Sequence, residues 1–305
     1  MQSHTKTAIV LALGTAVISG VANFVNKFGL SSSGDPVVYT LVKNGVAALF
    51  CISVVVAVIR RRELKQLRRS DWLKLLLIGG VGGSIPFILF FTGLAQTTAV
   101  SASFIHKSLF LWVALLAVPL LKERIGMLQG VALALLLVGN GFIGKVTRFG
   151  RGEILIMIAT LLWAVETVII KHVLKNISSW TVAAARMGIG AVILFGVVAF
   201  QGKLDILGDY SLTQWGWTAL TGLILFGYVV TWTAALKRAP VTLVASLLVP
   251  AAFITSLCSS LYSGQALTSA EWYGAMFFVV GSVLLFLSYR TVNHIRHDRT
   301  QPSHS

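Results

Sequence analysis

The sequence predicts an all-helical integral membrane protein of ten transmembrane helices, on three observations. Of its 305 residues 56% are hydrophobic and only 11% charged, less than half of the roughly 25% charge that a water-soluble domain carries. Its mean hydropathy is +0.84. Predominantly apolar runs recur along the whole chain at the roughly 20 residues a helix needs to cross a hydrocarbon core about 30 Å thick.

In order, the runs are residues 7–29, 37–59, 72–94, 100–121, 127–144, 153–173, 180–200, 215–236, 242–262 and 272–289. They are continuously apolar, without the period-two alternation of barrel strands, so each is a helix. The first has a weak basic flank and exceeds the 7–15 apolar residues usual in a signal peptide. It also carries Asn23, Asn26 and Lys27, which suits a retained functional helix. The third contains Gly79, Gly80, Gly82 and Gly83. A phosphate-cradling loop needs a strand before it, so these glycines are expected to let helices approach closely. Trp72, Trp180, Trp215, Trp217 and Trp272 stand at helix starts, where indoles anchor at headgroup level. Cys51 and Cys258 lie within apolar runs and are expected as free, buried thiols.

The formal net charge of +15 would suit a nucleic-acid ligand, but the basic residues gather in short loops between the apolar runs. That pattern reads as the positive-inside bias. With a cytoplasmic N-terminus, 17 Lys and Arg fall inside: Lys6, Arg60, Arg61, Arg62, Lys65, Arg68, Arg69, Lys74, Lys122, Arg124, Lys171, Lys175, Lys237, Arg238, Arg290, Arg296 and Arg299. Five fall outside (Lys27, Lys145, Arg148, Arg151, Lys203), and Lys43, Lys107 and Arg186 remain within the membrane. Both termini are therefore expected in the cytoplasm, with the molecule in the cell inner membrane.

The two halves echo each other. Residues 18–30 align with 161–174, placing Lys27 opposite Lys171; residues 39–50 align with 181–195, placing Lys43 opposite Arg186; residues 97–110 align with 237–250. The offset stays near 140–144 residues. Five helices per half make the second repeat enter the membrane from the opposite side. This gives inverted repeats over residues 1–148 and 149–290, followed by a basic tail at 291–305. Such repeats recur in secondary transporters, with the substrate site near the midplane between them.

On these residues the chain resembles the drug/metabolite transporter superfamily, in its ten-helix EamA-type branch, from about Lys6 to Tyr289. The resemblance rests on the Asn/Lys-bearing end of the first helix, the cation of the second, the run "AVSASFIHKSLFLWVALLAVPLLKERI" and their second-half counterparts. Lys122, Glu123 and Arg124 match the family's turn after the fourth helix. The second half has Gly264, Gln265 and Ala266 there, so Glu123 is expected as a structural helix-end residue. Phe110 stands where the family has a proline, while Pro250 is kept. The resemblance implies transport of small organic molecules, commonly outward, and no particular substrate.

Ionisable groups inside a bilayer are costly and are functional candidates. Lys43 lies seven residues into its helix, about 10 Å deep at a rise of 1.5 Å per residue, and Arg186 mirrors it. Both are candidates for gating or for a structural charge role. Lys107 is flanked by Ser101, Ser103, His106 and Ser108 and reads as a substrate contact, or as the structural partner of Glu166. Glu166, the acidic residue deep in an apolar run, shares a helix face with Trp163. The substrate-binding candidates are thus Lys107, His106, Ser103, Glu166 and Trp163. Unpaired, Glu166 would suit proton exchange, with protons as a candidate coupling ion. More cations than anions favours a substrate with a carboxylate or phosphate, and Glu166 is available for an amine, as in an amino-acid-like zwitterion.

No catalytic residue, cofactor or metal site is indicated. There is no His-Glu-x-x-His, no cysteine cluster and no Walker motif. A membrane-embedded enzyme or a receptor with a Schiff base on Lys107 are the rival classes. The expected function is secondary active transport of a small organic metabolite by alternating access, exported or, on the same fold, imported. The expected partners are that substrate and the bilayer, with the protein a monomer or homodimer.

Overall fold

The computed structural model describes residues 2–58, 62–144 and 149–298. Arg60, Arg61, Lys145, Arg148 and Arg299, used in the charge count, lie outside the described residues, as does residue 59 at the end of the second run. Every regular element among those described is a helix. The first helix is Gln2–Ser33, the second Pro36–Val58, the fifth Met127–Ile143, the sixth Arg151–Val173, the seventh Ser179–Phe200, the eighth Leu212–Arg238 and the tenth Ser269–Asp298. Short helices Arg62–Gln66 and Asp205–Gly208 sit in turns. Among the described residues, nine spans are long and apolar enough to cross a membrane, and the fifth helix is a shorter apolar one.

Three of the expected continuous helices are broken. The third runs as Arg69–Val81 and Ile85–Ala95, the fourth as Ala99–Lys107 and Leu109–Leu121, and the ninth as Val241–Ser246 and Ala251–Ser263. Each break has a local cause. Gly82 and Gly83 leave the third helix without side-chain support, and Ser84 Oγ donates to the carbonyls of Gly79 and Gly80 in the last turn before the break. At the fourth, Ser108 Oγ takes the Ile105 carbonyl. At the ninth, Pro250 supplies no N–H and disfavours a helical residue before it. Non-helical backbone at membrane depth is tolerated where protein or a cavity satisfies it.

The helices pack in a pattern that survives exchange of the first five for the last five. The first lies along the eighth as the sixth lies along the third. The second packs on the seventh and the fifth on the tenth. The second also meets the eighth as the seventh meets the third. The end of the fourth meets the sixth as the end of the ninth meets the first. Glycines permit the tightest of these approaches, as expected. A Cβ on Gly79 would lie 2.5 Å from the Ile189 side chain, and one on Gly190 2.4 Å from the Gly83 carbonyl.

Lys27 and Lys171 make the same pair of bonds. Lys27 Nζ donates to the Leu94 and Thr97 carbonyls, both at 2.6 Å. Lys171 Nζ donates to those of Leu236 and Ala239, both at 2.7 Å. Each ammonium closes the C-terminal carbonyls of a neighbouring helix, where positive charge is favoured. The sequence alignment that set these lysines opposite each other therefore has a physical counterpart.

Among the bonds that join the halves, two sets involve carboxylates near helix ends. In one, Asp35 caps the second helix by accepting from the Val37 and Val38 N–H groups and binds Lys203 Nζ at 2.7 Å; Thr97 also donates to Glu153. Burial pushes the Asp35 carboxyl up, but the bonds from Lys203, Val38 and Val37 outweigh it and hold that carboxyl below its ordinary range. In the other, Glu63 accepts from Ser178 N and Thr181 Oγ1. There Glu123 accepts from the Val241 and Thr242 N–H groups and from Thr242 Oγ1. Glu123 is thus a cap on the ninth helix, the structural helix-end residue the sequence suggested. Both cysteines are free; Cys51 is buried and Cys258 half-buried.

Candidate substrate cavity

Between the two halves lies a narrow cavity of about 50 Å³. The first, second, third and fourth helices line it from one half, and the sixth, seventh and eighth from the other. Its floor is an ion pair built around the glycine break. Arg186 Nε donates to Glu166 Oε1 at 2.5 Å and Nη2 to Oε2 at 3.0 Å, with both residues buried. This two-point geometry suits a guanidinium better than an ammonium. A Cβ on Gly82 would come within 1.8 Å of the Glu166 carboxyl, and one on Gly83 within 2.0 Å of the Arg186 carbonyl. The break is therefore what makes room for the pair. Trp163 Nε1 donates to the Gly82 carbonyl and Asn44 Nδ2 to that of Gly83, which satisfies the carbonyls of this buried turn.

The other wall is aromatic. Phe87 and Phe90 pack on Trp163 with ring centroids 5.1 and 5.5 Å away, and His106 lies 4.9 Å from Trp163. Lys43 Nζ sits 4.1 Å from the Phe91 centroid and 5.4 Å from that of Phe87. Arg186 Cζ is also 5.4 Å from the Phe87 centroid, so one ring serves two cations. Cation–ring contacts of this length are attractive and strengthen away from water.

Of the residues singled out in sequence, Glu166, Trp163, His106, Lys43 and Arg186 line the cavity together. Lys107 and Ser103 stand behind it. Lys107 Nζ donates to Ser19 Oγ at 2.7 Å, and Ser19 in turn lines the cavity. Ser103 Oγ accepts from Thr255 Oγ1, which joins the fourth helix to the ninth. Glu166 pairs with Arg186, so the pairing of Lys107 with Glu166 considered from sequence is not the one formed. Sequence reasoning missed the third-helix phenylalanines, Tyr228 and Trp232, because an aromatic facing a cavity has the hydropathy of one facing lipid. Asn23 and Asn26 carried a signal, as amides in an apolar run. Tyr39 donates to Asn26 Oδ1, while Asn23 Nδ2 has no hydrogen-bond partner. Arg186 Nη1 and His106 Nδ1 are likewise buried without partners. Among the described residues, no group of three or more His, Cys, Asp or Glu is placed to hold a metal ion.

The EamA-like transporter family pattern matches residues 6–144 and again residues 150–287. The chain belongs to the EamA-like transporter family. A Haemophilus influenzae protein is 25% identical over 252 residues, spanning 77% of this chain and 80% of its own. An Archaeoglobus fulgidus protein is 28% identical over 250 residues, spanning 79% and 84%. Both are named uncharacterized transporters. One crystal structure superposes with a TM-score of 0.72 over 94% of this chain and 99% of the other, at 17% identity, a likeness of fold. This EamA-like chain is a multi-pass membrane transporter of the drug/metabolite type, as its sequence suggested.

Proposed function

We propose that this EamA-like protein is a secondary active transporter that exports a small organic, carboxylate-bearing or amino-acid-like metabolite across the cell inner membrane by alternating access. The observation that carries this reading is the cavity between the halves, lined by an aromatic wall and by residues with buried donors that have no partner. The working units are two inverted five-helix repeats, residues 1–148 and 149–290, with both termini and the tail 291–305 in the cytoplasm. The helix pairings that survive exchange of the halves and the matched clamps of Lys27 and Lys171 support the repeats. The charge bias of the loops supports the orientation. The two sets of bonds between the halves are those that rocking one half on the other would make and break in turn.

In this reading Trp163 and His106 form the wall against the substrate, and Lys43 supplies positive charge. Lys107 acts through Ser19, and Ser103 through its bond to the ninth helix. Glu166 carries a coupling proton only if the pair with Arg186 opens during the cycle. Flux in proteoliposomes tests the reading: a carboxylate panel should move faster under an imposed pH gradient than without one. A panel that gives no flux in either direction across sealed, oriented vesicles would overturn it. Glu166→Gln protein that keeps full gradient-driven accumulation would remove Glu166 from coupling. Cysteines placed at Gln66 and Gly208, both exposed, test the orientation, and labelling of position 66 from outside intact cells would reverse it.

A further inference from the structure

Lys43 and Arg186 hold aligned places in the two halves, but only Arg186 has a resident counter-ion. The clamps of Lys27 and Lys171 set the register between the first and sixth helices. Five residues before Lys171 stands Glu166; five residues before Lys27 stands Ala22. Ala22 lines the cavity. Where the second half presents a guanidinium and its carboxylate, the first presents an ammonium, two ring faces and a methyl group. Lys43 Nζ makes no hydrogen bond or ion pair among the described residues, and its contacts are the rings of Phe87 and Phe91. Lys43 is 2% exposed, and a buried cation without an anion is poorly compensated by rings alone.

The remaining polar groups point the same way. Arg186 Nη1 and Asn23 Nδ2 are buried donors without acceptors, and both residues line the same cavity as Lys43. Both Glu166 oxygens already accept from Arg186, so a ligand ammonium would have to share that carboxylate with a guanidinium. We propose that the ligand supplies the carboxylate missing from the first half: Lys43, with the unpartnered Asn23 Nδ2 and Arg186 Nη1 beside it in the lining, binds the carboxylate of a small organic monoanion on the Ala22 side, its apolar body against the aromatic wall. This rests on the cavity being the transporter's substrate site and narrows its ligand to an acid that needs no amine. The carboxylate completes the first half as Glu166 completes the second, which ties binding to charge neutralisation inside the protein.

The test uses the purified full chain in lipid nanodiscs, followed by quenching of tryptophan fluorescence and by thermal unfolding. The probes are 3-phenylpropionate, its amide, phenylalanine and 2-phenylethylamine, which share one apolar body, together with benzoate and inorganic phosphate. The carboxylates should bind more tightly than the amide and the amine, and phenylalanine no more tightly than 3-phenylpropionate. Lys43→Gln should weaken 3-phenylpropionate at least about tenfold, as expected for one lost hydrogen bond to a charged group. Ala22→Glu should weaken it as much without lowering the unfolding temperature, because the new carboxylate pairs with Lys43. Either variant alone reads the site if the other fails to fold.

The proposal falls if no carboxylate binds, if phosphate or the amine is preferred, or if a folded variant binds 3-phenylpropionate as the parent does. Flux separates this from the transport reading. Carboxylate binding without flux in proteoliposomes would remove transport and leave the site. Flux of the amine without carboxylate binding would do the reverse.

Discussion

At aligned places on the second and seventh helices, Lys43 and Arg186 face the same cavity and share the ring of Phe87, yet their surroundings differ in kind. Arg186 is held at two points by Glu166 on the neighbouring helix. Lys43 has ring faces and space. A repeated architecture therefore does not impose repeated electrostatics. Glu166 needs the gap at Gly82, and the first half has only the methyl group of Ala22 at the place aligned with Glu166. One cation is neutralised by the chain, while the other is left to be neutralised by what enters the cavity.

The largest expected effect breaks the neutralised side. Glu166→Gln leaves Arg186 buried without its counter-ion and should cost about 3–5 kcal/mol in unfolding measurements in detergent. Glu166→Gln combined with Arg186→Met should recover most of that loss. A Glu166→Gln protein as stable as the parent would mean that the pair is not a structural element and would dissolve the contrast with Lys43.

Next comes the space for the pair. Gly82→Ala places a carbon against the Glu166 carboxyl and should cost about 2 kcal/mol, the usual size of an overpacking strain. The loss should vanish in a Glu166→Ala background, because the clash is then removed. Equal losses in both backgrounds would place the strain in the helix break itself.

The same truncation at the two cations should then act with opposite sign. Arg186→Met strands Glu166 and lowers stability. Lys43→Met removes a charge that has no partner and should leave stability unchanged or raise it by about 1 kcal/mol, while carboxylate binding is lost. Destabilisation by Lys43→Met as large as that by Arg186→Met would show that the rings of Phe87 and Phe91 suffice to hold the ammonium.

The smallest effect belongs to the pair between Asp35 and Lys203, which also joins the halves but lies between helices and is partly exposed. Its carboxyl is held below the ordinary range, so its contribution is complete above about pH 4 and is lost as pH falls through the depressed value. Solvent screening keeps it under about 1 kcal/mol. Unfolding temperatures of the parent and Asp35→Asn should therefore differ slightly at neutral pH and converge in acid. A gap that widened in acid would reverse the assignment.

The sequence by itself determined the helical, membrane-spanning class, the approximate spans, the clamp lysines as counterparts and the buried charges as candidates. Hydropathy is a property of consecutive residues, and a charge in an apolar run is visible wherever that run folds. It also identified the family, because the polar residues at the ends of the first and fourth helices are local text. The tertiary structure alone decided which carboxylate meets which cation. Glu166 and Arg186 stand 20 residues apart on consecutive helices, and pairing depends on distances between helices that no periodicity encodes. It also broke three helices and set Lys107 and Ser103 behind the cavity wall. Phe87, Phe90 and Phe91 were raised from anonymous apolar residues to the wall itself, because the face a side chain turns to a neighbour is fixed by packing.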